Sequence, residues 1–316
     1  MPEPDLSQPF TSSDLARIGL TRAALRRLVA QGVVRRVVRG VYAAADLGDD
    51  VAVRASAIAL LLGEGHVACD RTAAWLHGLD LYPYSGHDVA PVVEMCVGPG
   101  RGASIGSGIG GHRRDLLPGE VTEVHGVAVT TPLRTALDLA CVLERRDAMA
   151  ALDAFRRRFG LSRAELAGAL RSRFTGRRGV VQARNLVEHS DPRAESMRES
   201  WVRITIIDAG LPAPDLQVWV VDDGVPRYRL DLAYRRRKVA VEYDGEDGHL
   251  QTEEQIEDDE ARRAWLRARG WVVIVVRSGD FTGARLDRWI SALRVAMRPS
   301  YSNRRRLERG ARDREF

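Results

Sequence analysis

Lysine is almost absent from this chain of 316 residues: Lys238 is the only one among 48 basic side chains, and the others are arginine. The sequence is also rich in Ala, Gly and Val, a bias that suits a GC-rich coding sequence whatever the protein does. The formal net charge of +5 is therefore a weak indication of nucleic-acid binding. The positions of the arginines are more informative than their number.

Cysteine is scarce as well, and long apolar runs are missing. Cys69, Cys96 and Cys141 are odd in number and lack the spacing of zinc ligands, which is typical of a reduced cytoplasmic protein. No apolar run approaches the roughly 20 residues of a membrane span. The first residues, MPEPDLSQPF, have neither the basic start nor the apolar core of a signal peptide. We therefore expect a cytoplasmic protein with no membrane partner.

The N-terminal segment follows the plan of a winged helix-turn-helix. Residues 12–14 (SSD) offer an N-cap to a short helix that runs to Gly19, and Thr21 caps a second helix, TRAALRRLVAQG. The alternating sequence VVRRVVRGVYA then predicts a small hairpin with Arg39-Gly40 at its tip. A further helix within residues 5–10 is an open alternative.

Arginines cluster in this segment, where residues 11–42 contain seven of them and one acid, Asp14. The second helix carries arginines on its polar side and apolar residues such as Leu25 and Leu28 on the other. A helix of this kind can enter the major groove, and a hairpin arginine can reach phosphate or the minor groove. The residues predicted to contact DNA are Thr21, Arg22, Arg26, Arg27, Arg36 and Arg39. The alternative is a solvated basic helix with no nucleic-acid role.

The same segment resembles the N-terminal winged-helix domain of the AbiEi family of antitoxins. The similarity continues in HVACDRTAAWLHGL (His66–Leu79) and TTPLRTALDLA (Thr130–Ala140), and it covers roughly residues 10 to 160. It implies DNA binding and autoregulation. For the middle of the chain it implies an α/β domain that supports the first or binds a protein partner.

The middle region is predicted to mix helices and strands. We expect helices at Val51–Leu62, after an Asp70 or Thr72 cap, at TPLRTALDLACVL, at Arg146–Arg158 and after a Ser162–Glu165 capping box, with PVVEMCV as a strand. Gly98–Gly111 is rich in glycine but is not followed by Gly-Lys-Ser/Thr. A flexible loop between strands is therefore favoured over a phosphate-binding loop.

A last domain begins after the Asp191-Pro192 break. In chain order we expect a helix ending at Gly210, a strand LQVWVV, a turn at Asp222-Asp223-Gly224, a hairpin, a helix TEEQIEDDEARRAWLRARG, a strand WVVIVV and a helix at Leu286–Met297. The continuous apolar run of WVVIVV is typical of a buried central strand.

The hairpin RLDLAYRRRKVAVEYDG carries an unusual group of acids. If Arg236 and Arg237 form a two-residue turn, Asp231 lies opposite Glu242, and Asp244 follows on the same face. Two like charges about 5 Å apart repel by roughly 3 kcal/mol at an effective dielectric constant of about 20. Mg²⁺ would remove this cost because it prefers hard oxygen ligands. Glu199, with Glu195 as its rival, adds an acid from the preceding helix.

The spacing D-x(10)-E-x-D resembles the core of the PD-(D/E)XK, restriction-endonuclease-like superfamily. The longer pattern RLDLAY…VAVEYDG…H…DDEARRAWLRARGW is similar to its very-short-patch-repair-like branch, over about residues 193 to 280. The resemblance implies metal ligation by Asp231 and Glu242, with Asp244 at the usual lysine position and Glu199 as the helix acid. It also implies that His249, Asp259 and Arg262 complete the pattern.

Two departures from that family matter. The usual lysine is missing, and Lys238 lies four residues before Glu242, about 13 Å away along a strand. His249 or Arg262 is the expected substitute. The zinc ligands of the very-short-patch proteins have no counterpart either, so mismatch recognition is not carried over.

We therefore predict a multidomain α/β protein with four segments: a winged helix-turn-helix (1–47), an AbiEi-like α/β domain (48–190), a restriction-endonuclease-like domain with a mixed sheet (191–297) and a basic disordered tail (298–316). The predicted function is a DNA endonuclease dependent on Mg²⁺ or Mn²⁺. The alternative is a non-catalytic, antitoxin-like transcriptional repressor with a degenerate nuclease domain. An RNA-processing nuclease is a third interpretation, less favoured because a groove-sized helix suits duplex DNA.

Overall fold

A computed structural model of the chain describes residues 5–82, 90–97, 109–245 and 253–298. The chain forms two compact units, Met1–Ser190 and Asp191–Phe316. Helices and sheets occur in both, so the predicted multidomain α/β class is confirmed. The finer domain boundaries stay predictions. The predicted disorder of the tail concerns residues that, beyond Arg298, lie outside the described part of the chain.

The first unit begins with one helix and a small antiparallel sheet. Its elements are β1 (Phe10–Thr11), α1 (Arg22–Ala30), β2 (Val34–Val38) and β3 (Val41–Ala44). The strand order is β1-β3-β2. As predicted, Arg39 and Gly40 form the tip of the β2–β3 hairpin, and Gly40 has a φ of 91°, which glycine adopts at little cost. Apolar side chains from the helix, the sheet and the turns between β1 and α1 form one core: Phe10, Leu15, Ile18, Leu25 and Val34.

The short helix predicted from residue 12 to Gly19 is wrong, because these residues form successive turns. The Asp14 carboxylate accepts hydrogen bonds from the backbone N and the Oγ1 of Thr11, at 2.8 and 2.7 Å. It therefore closes a turn back onto Thr11, three residues earlier, instead of capping a helix. The alternative helix in residues 5–10 is also wrong, since Phe10 pairs with Tyr42 of β3.

The rest of the first unit packs helices against a five-stranded mixed sheet with the order β6-β5-β4-β8-β7. The strands are β4 (His66–Ala68), β5 (Val93–Val97), β6 (Ile109–Arg113), β7 (Val121–Val124) and β8 (Val127–Thr130). The helices are α2 (Val51–Ala59), α3 (Asp70–Leu76), α4 (Pro132–Val142), α5 (Arg145–Phe159), α6 (Arg163–Arg173) and α7 (Val180–His189).

Two local predictions in this region have different outcomes. The capping box is confirmed, since Ser162 Oγ accepts from the Glu165 backbone N at 3.1 Å and Glu165 Oε2 accepts from the Ser162 backbone N at 2.8 Å. The predicted cap at Asp70 or Thr72 is wrong. Cys69 is the N-cap and makes no side-chain capping bond. Most of the glycine-rich stretch lies outside the described residues, and its last three positions begin β6.

A buried ion-pair network holds α3, α4 and the chain before β7 together. The Arg134 side chain is completely buried and donates to Asp138 Oδ2 at 2.8 Å and to Glu120 Oε2 at 2.7 Å. Arg114 donates both to Asp70, at 2.6 Å, and to Asp138. Because each buried charge has a partner, the network avoids the large cost of an isolated ion in the interior.

The second unit is a four-stranded mixed sheet between helices, with the order β12-β11-β10-β9. Its strands are β9 (Asp215–Asp222), β10 (Val225–Tyr234), β11 (Val239–Asp244) and β12 (Val272–Arg277). Its helices are α8 (Met197–Asp208), α9 (Glu253–Ala268) and α10 (Gly283–Ala296). Strands β9, β10 and β11 are antiparallel neighbours, and β12 runs parallel to β11. This is the element order that the sequence predicts.

The prediction of a central strand at WVVIVV is wrong. Within the described part of the unit, β12 lies at the end of the sheet, and β11 is the more buried strand. An apolar run occurs at the edge because both faces of β12 are covered. Ile274 and Val276 pack in one hydrophobic core, and Val273 packs against the other.

No helix in the described ranges is long and apolar enough to cross a membrane.

Candidate functional site

Helix α1 presents a basic surface to solvent. Arg22, Arg26 and Arg27 are exposed, while Leu25 points into the core. The helix starts where the sequence predicts, because Thr21 Oγ1 accepts a hydrogen bond from the Ala24 backbone N at 3.1 Å. Among the described residues these three guanidinium groups have no ion-pair partner. Their charge is therefore available to an anionic ligand.

The β2–β3 hairpin adds two exposed arginines to the same part of the unit. Arg36 lies with its guanidinium carbon 5.9 Å from the centre of the Tyr42 ring, and Arg39 is at the hairpin tip. Their neighbour Arg35 differs, because it donates to the backbone oxygens of Leu47 and Gly48 at 3.0 and 3.1 Å. Arg35 is thus a structural residue, whereas Arg36 and Arg39 are open to a ligand.

The acids of the second unit meet on the β10–β11 hairpin. The observed pairing of Leu232 with Val241 and of Ala233 with Ala240 places Asp231 opposite Glu242 one step further along. This is the register that the sequence predicts. Glu242 is buried and Asp244 is partly exposed two residues later on β11.

Glu199 and its rival Glu195 both lie close enough to Asp231 for their charges to raise its pKa, but their surroundings differ. Glu199 is 7% exposed, and its Oε2 accepts hydrogen bonds from the Glu195 backbone N at 3.0 Å and from Gln217 Nε2 at 2.8 Å. Glu195 is exposed and forms a two-bond ion pair with Arg229, at 2.7 and 3.0 Å. Gln217, whose role the sequence did not indicate, therefore orients the buried acid.

Arginines of α9 offset much of the negative charge. Arg262 donates two hydrogen bonds to Glu242, at 2.5 and 3.2 Å. Arg263 lies 3.5 Å from the nearest oxygen of Asp244 and 4.0 Å from Glu242 Oε2. The sequence pointed to Arg262 but not to Arg263. The repulsion that suggested a metal ion is thus reduced by guanidinium groups of the chain itself.

Asp231 remains the exception. The structure shows no hydrogen bond or ion pair for its carboxylate with any described residue. Burial raises the pKa of Asp231 to about 6, with a further contribution from the nearby Glu199 charge and a partial offset by Arg262. The pKa of Glu242 is also raised, chiefly by burial, although Arg262 opposes the rise. A carboxyl that titrates this close to neutral pH is a common feature of functional sites.

The side chains in the described ranges do not form a ready metal site. No group of three or more His, Cys, Asp or Glu residues there is arranged to hold an ion. Glu242 and Asp244 are in ion pairs with arginine, and Glu199 Oε2 accepts two hydrogen bonds, whereas no described residue offers Asp231 a hydrogen bond or ion pair. His249, predicted to act at this site, lies outside the described residues.

Comparison with protein families supports the sequence interpretation of the first unit. Residues 5–45 match the model described as "Transcriptional regulator, AbiEi antitoxin", and residues 66–189 match "AbiEi antitoxin C-terminal domain". The first unit therefore contains AbiEi antitoxin family domains, as the resemblance predicts. The nuclease resemblance of residues 193–280 gains no support from these matches.

Two curated proteins of Mycobacterium tuberculosis are similar over most of the chain. They are "Uncharacterized protein MT2308" of strain CDC 1551 / Oshkosh and "Uncharacterized protein Rv2248" of strain H37Rv. Each is 34% identical over 284 residues, which cover 88% of this chain and 100% of the relative. The chain therefore belongs to the same family as these mycobacterial proteins.

Among solved structures, the crystal structure of RV2827C protein from Mycobacterium tuberculosis shows a weak likeness. It is 18% identical, with a TM-score of 0.33, over 68% of this chain and 80% of that chain. A TM-score at this level does not support a shared fold.

Proposed function

We propose that the chain is a DNA-binding transcriptional regulator of the AbiEi antitoxin type. The observation that carries the proposal is the group of exposed, unpaired arginines on α1, beside the two exposed arginines of the hairpin. The match of residues 5–45 to an AbiEi transcriptional regulator supports it. In this proposal the helix, the three short strands and their turns act as a winged helix.

The proposed contacts follow from the shape and charge of duplex DNA. An α-helix fits the major groove, where arginine can donate two hydrogen bonds to guanine. Arg22, Arg26 and Arg27 would therefore lie against bases or phosphates, and Thr21 would lie at the helix start near the phosphate backbone. Arg36 and Arg39 would follow the neighbouring phosphates or the minor groove.

A protein partner belongs to the same proposal. An antitoxin acts against a toxin, and residues 66–189 match the model named for the antitoxin's C-terminal domain. We assign any such contact to this part of the first unit. The cytoplasm, expected from the cysteine content, is the proposed location.

The experiment is a salt titration of DNA binding by the full chain. The probe is a duplex taken from directly upstream of its own coding sequence. Arg26→Ala/Arg27→Ala should weaken binding by at least about tenfold and reduce the slope of log K against log salt by about 0.9 for each lost phosphate contact. Arg171→Ala/Arg178→Ala removes the same charge from exposed positions elsewhere in the unit and should change binding little. Equal effects of both pairs would refute a specific role for α1.

A metal-dependent DNA endonuclease is the second candidate, favoured by the unpaired Asp231 carboxyl and its raised pKa. Arg262 would first have to leave Glu242, after which Mg²⁺ or Mn²⁺ could be held by Asp231 and Glu242 with help from Glu199 and Asp244. Such an ion would supply Lewis-acid activation of a phosphodiester. In this candidate the second unit is a restriction-endonuclease-like domain, with His249 or Arg262 near the phosphate.

Calorimetric titration with MnCl₂ tests the second candidate directly. Wild type should bind the ion and nick plasmid DNA, whereas Asp231→Asn should do neither. Nicking of equal rate in both proteins would exclude Asp231 as a metal ligand. Absence of both binding and nicking in the wild type would leave the regulator as the only candidate.

A further inference from the structure

The turn between β10 and β11 carries three consecutive arginines that no other part of the described chain neutralises. Arg235, Arg236 and Arg237 form one turn of 3₁₀ helix, and all three are exposed. The structure shows no hydrogen bond or ion pair from their side chains to a described residue. We call these three residues the arginine turn.

Other arginines of the second unit are engaged differently. Many have an acid within ion-pair distance or a backbone oxygen as acceptor: Arg193, Arg229, Arg262, Arg263, Arg269, Arg277 and Arg294. What distinguishes the arginine turn is that its three exposed arginines are consecutive and lie on one short turn. Three adjacent positive charges repel one another, so placing them together without acids favours an external anion.

Lys238 holds the backbone of the arginine turn in place. Its Nζ donates to the carbonyl oxygen of Arg269 at 2.8 Å, and its own carbonyl accepts from the Val272 backbone N at 2.8 Å. Its backbone N donates to the carbonyl of Arg235 at 3.2 Å and closes the turn. The backbone is thus fixed before any ligand arrives, and only side chains must be ordered on binding.

We propose that the arginine turn binds backbone phosphates of duplex DNA. Consecutive side chains of a 3₁₀ helix point about 120° apart, so two of the three can face one surface at a time. Guanidinium groups bind phosphate through two parallel hydrogen bonds. Tyr234, just before the turn, and Trp271, just before β12, are buried, so neither offers a surface on which single-stranded bases could stack. The inference rests on the proposed DNA-binding function and gives the second unit its own contact with DNA.

The test compares two triple variants of the full chain on the same upstream duplex. Arg235→Gln/Arg236→Gln/Arg237→Gln removes the arginine turn. Arg285→Gln/Arg288→Gln/Arg298→Gln removes the same charge from exposed positions on or just after α10. Loss of two phosphate contacts should lower the salt slope by about 2 and weaken binding about 20-fold near 0.15 M salt, with little change in the α10 variant. Equal melting temperatures would exclude unfolding as the cause.

Several results would overturn the inference. Unchanged binding by the arginine-turn variant would do so, and if Arg26→Ala/Arg27→Ala still weakened binding, the proposed function would stand. Equal weakening of DNA binding by the α10 variant would show that the effect reflects only the lower net charge of the protein. Absence of DNA binding by the wild type would refute the proposed function and the inference together. Weakening by the arginine-turn variant alone would support the inference and remove α1 from the DNA contact.

Discussion

Arg262 of α9 and Glu242 of β11 form a two-bond ion pair in which the carboxylate is almost completely buried. The two hydrogen bonds are 2.5 and 3.2 Å long, and Glu242 is 5% exposed. The pair joins the helix to the middle of the sheet at the point where the acids converge. The buried negative charge of Glu242 is therefore compensated by an arginine of the same chain.

Removal of Arg262 should destabilise the second unit. Arg262→Ala leaves Glu242 as a buried and poorly compensated charge, and we expect a loss of about 3 kcal/mol in the free energy of unfolding. Denaturant unfolding followed by tryptophan fluorescence reports mainly on this unit, since only Trp75 lies in the other one. Arg267→Ala, at an exposed position of the same helix, should cost less than about 0.5 kcal/mol. Equal losses would show that the ion pair contributes nothing.

The raised pKa of Asp231 makes stability depend on pH in a defined direction. The folded carboxyl titrates at about 6 and its ordinary value is 3.8. Between these values the folded state binds more protons than the unfolded state, so this group makes stability fall as pH rises from about 4 to about 6. Asp231→Asn should therefore exceed wild type by about 1 to 2 kcal/mol at pH 7.5, a range reduced for partial solvent exposure. The difference should vanish near pH 4. A variant less stable than wild type at pH 7.5 would contradict the assigned direction.

Even a conservative replacement of Arg134 should destabilise the protein. Lysine keeps the charge but lacks the planar fork that reaches Asp138, Glu120 and the Asp115 carbonyl together. We expect Arg134→Lys to lower the free energy of unfolding by about 2 kcal/mol and Arg134→Met by about 3 kcal/mol or more. Circular dichroism during thermal unfolding measures both. The exposed Arg171→Lys serves as the control, and a similar loss there would argue against a special role for the buried network.

Gly160 and Gly179 allow the cost of a strained backbone conformation to be distinguished from the cost of a steric clash. Gly160 and Gly179 have φ values of 67° and 80°, so an alanine is strained at either position. A Cβ at Gly160 would meet open space, whereas at Gly179 it would lie 2.0 Å from the carbonyl oxygen of Cys141. We expect Gly160→Ala to cost about 1 kcal/mol and Gly179→Ala about 3 kcal/mol or more in chemical denaturation. Equal costs would mean that the backbone around Cys141 moves freely.

The register of the β10–β11 hairpin could be predicted because side-chain alternation constrains it. The assumed two-residue turn at Arg236 and Arg237 is in fact a 3₁₀ turn followed by Lys238 in the left-handed region, yet Asp231 still lies opposite Glu242. A slip of one residue would move the apolar side chains of the hairpin to the wrong faces. The hydrophobic pattern therefore selected the register even though the turn type was different.

Contacts that depend on tertiary geometry could not be predicted in the same way. Arg263 reaches Asp244 because of how α9 packs against β11, and helical spacing does not give that orientation. Gln217 donates to Glu199 from a strand position with a φ of 53°. This conformation is unusual for a residue other than glycine, and the sequence around Gln217 has no turn signal that would predict it. The edge position of β12 could not be predicted either. A strand covered on both faces has an apolar sequence whether it lies at the edge or in the centre of a sheet.

Because the chain contains a single lysine, one side chain can be modified selectively. Reagents that acylate side-chain amines have a single target, Lys238, and that amine is the one bonded to the Arg269 carbonyl. Acylation removes the positive charge and breaks that bond in one step. A dye attached in this way would label one known side chain, besides any free α-amino group at the N-terminus. Its attachment to Lys238 would loosen the arginine turn that it is meant to report on.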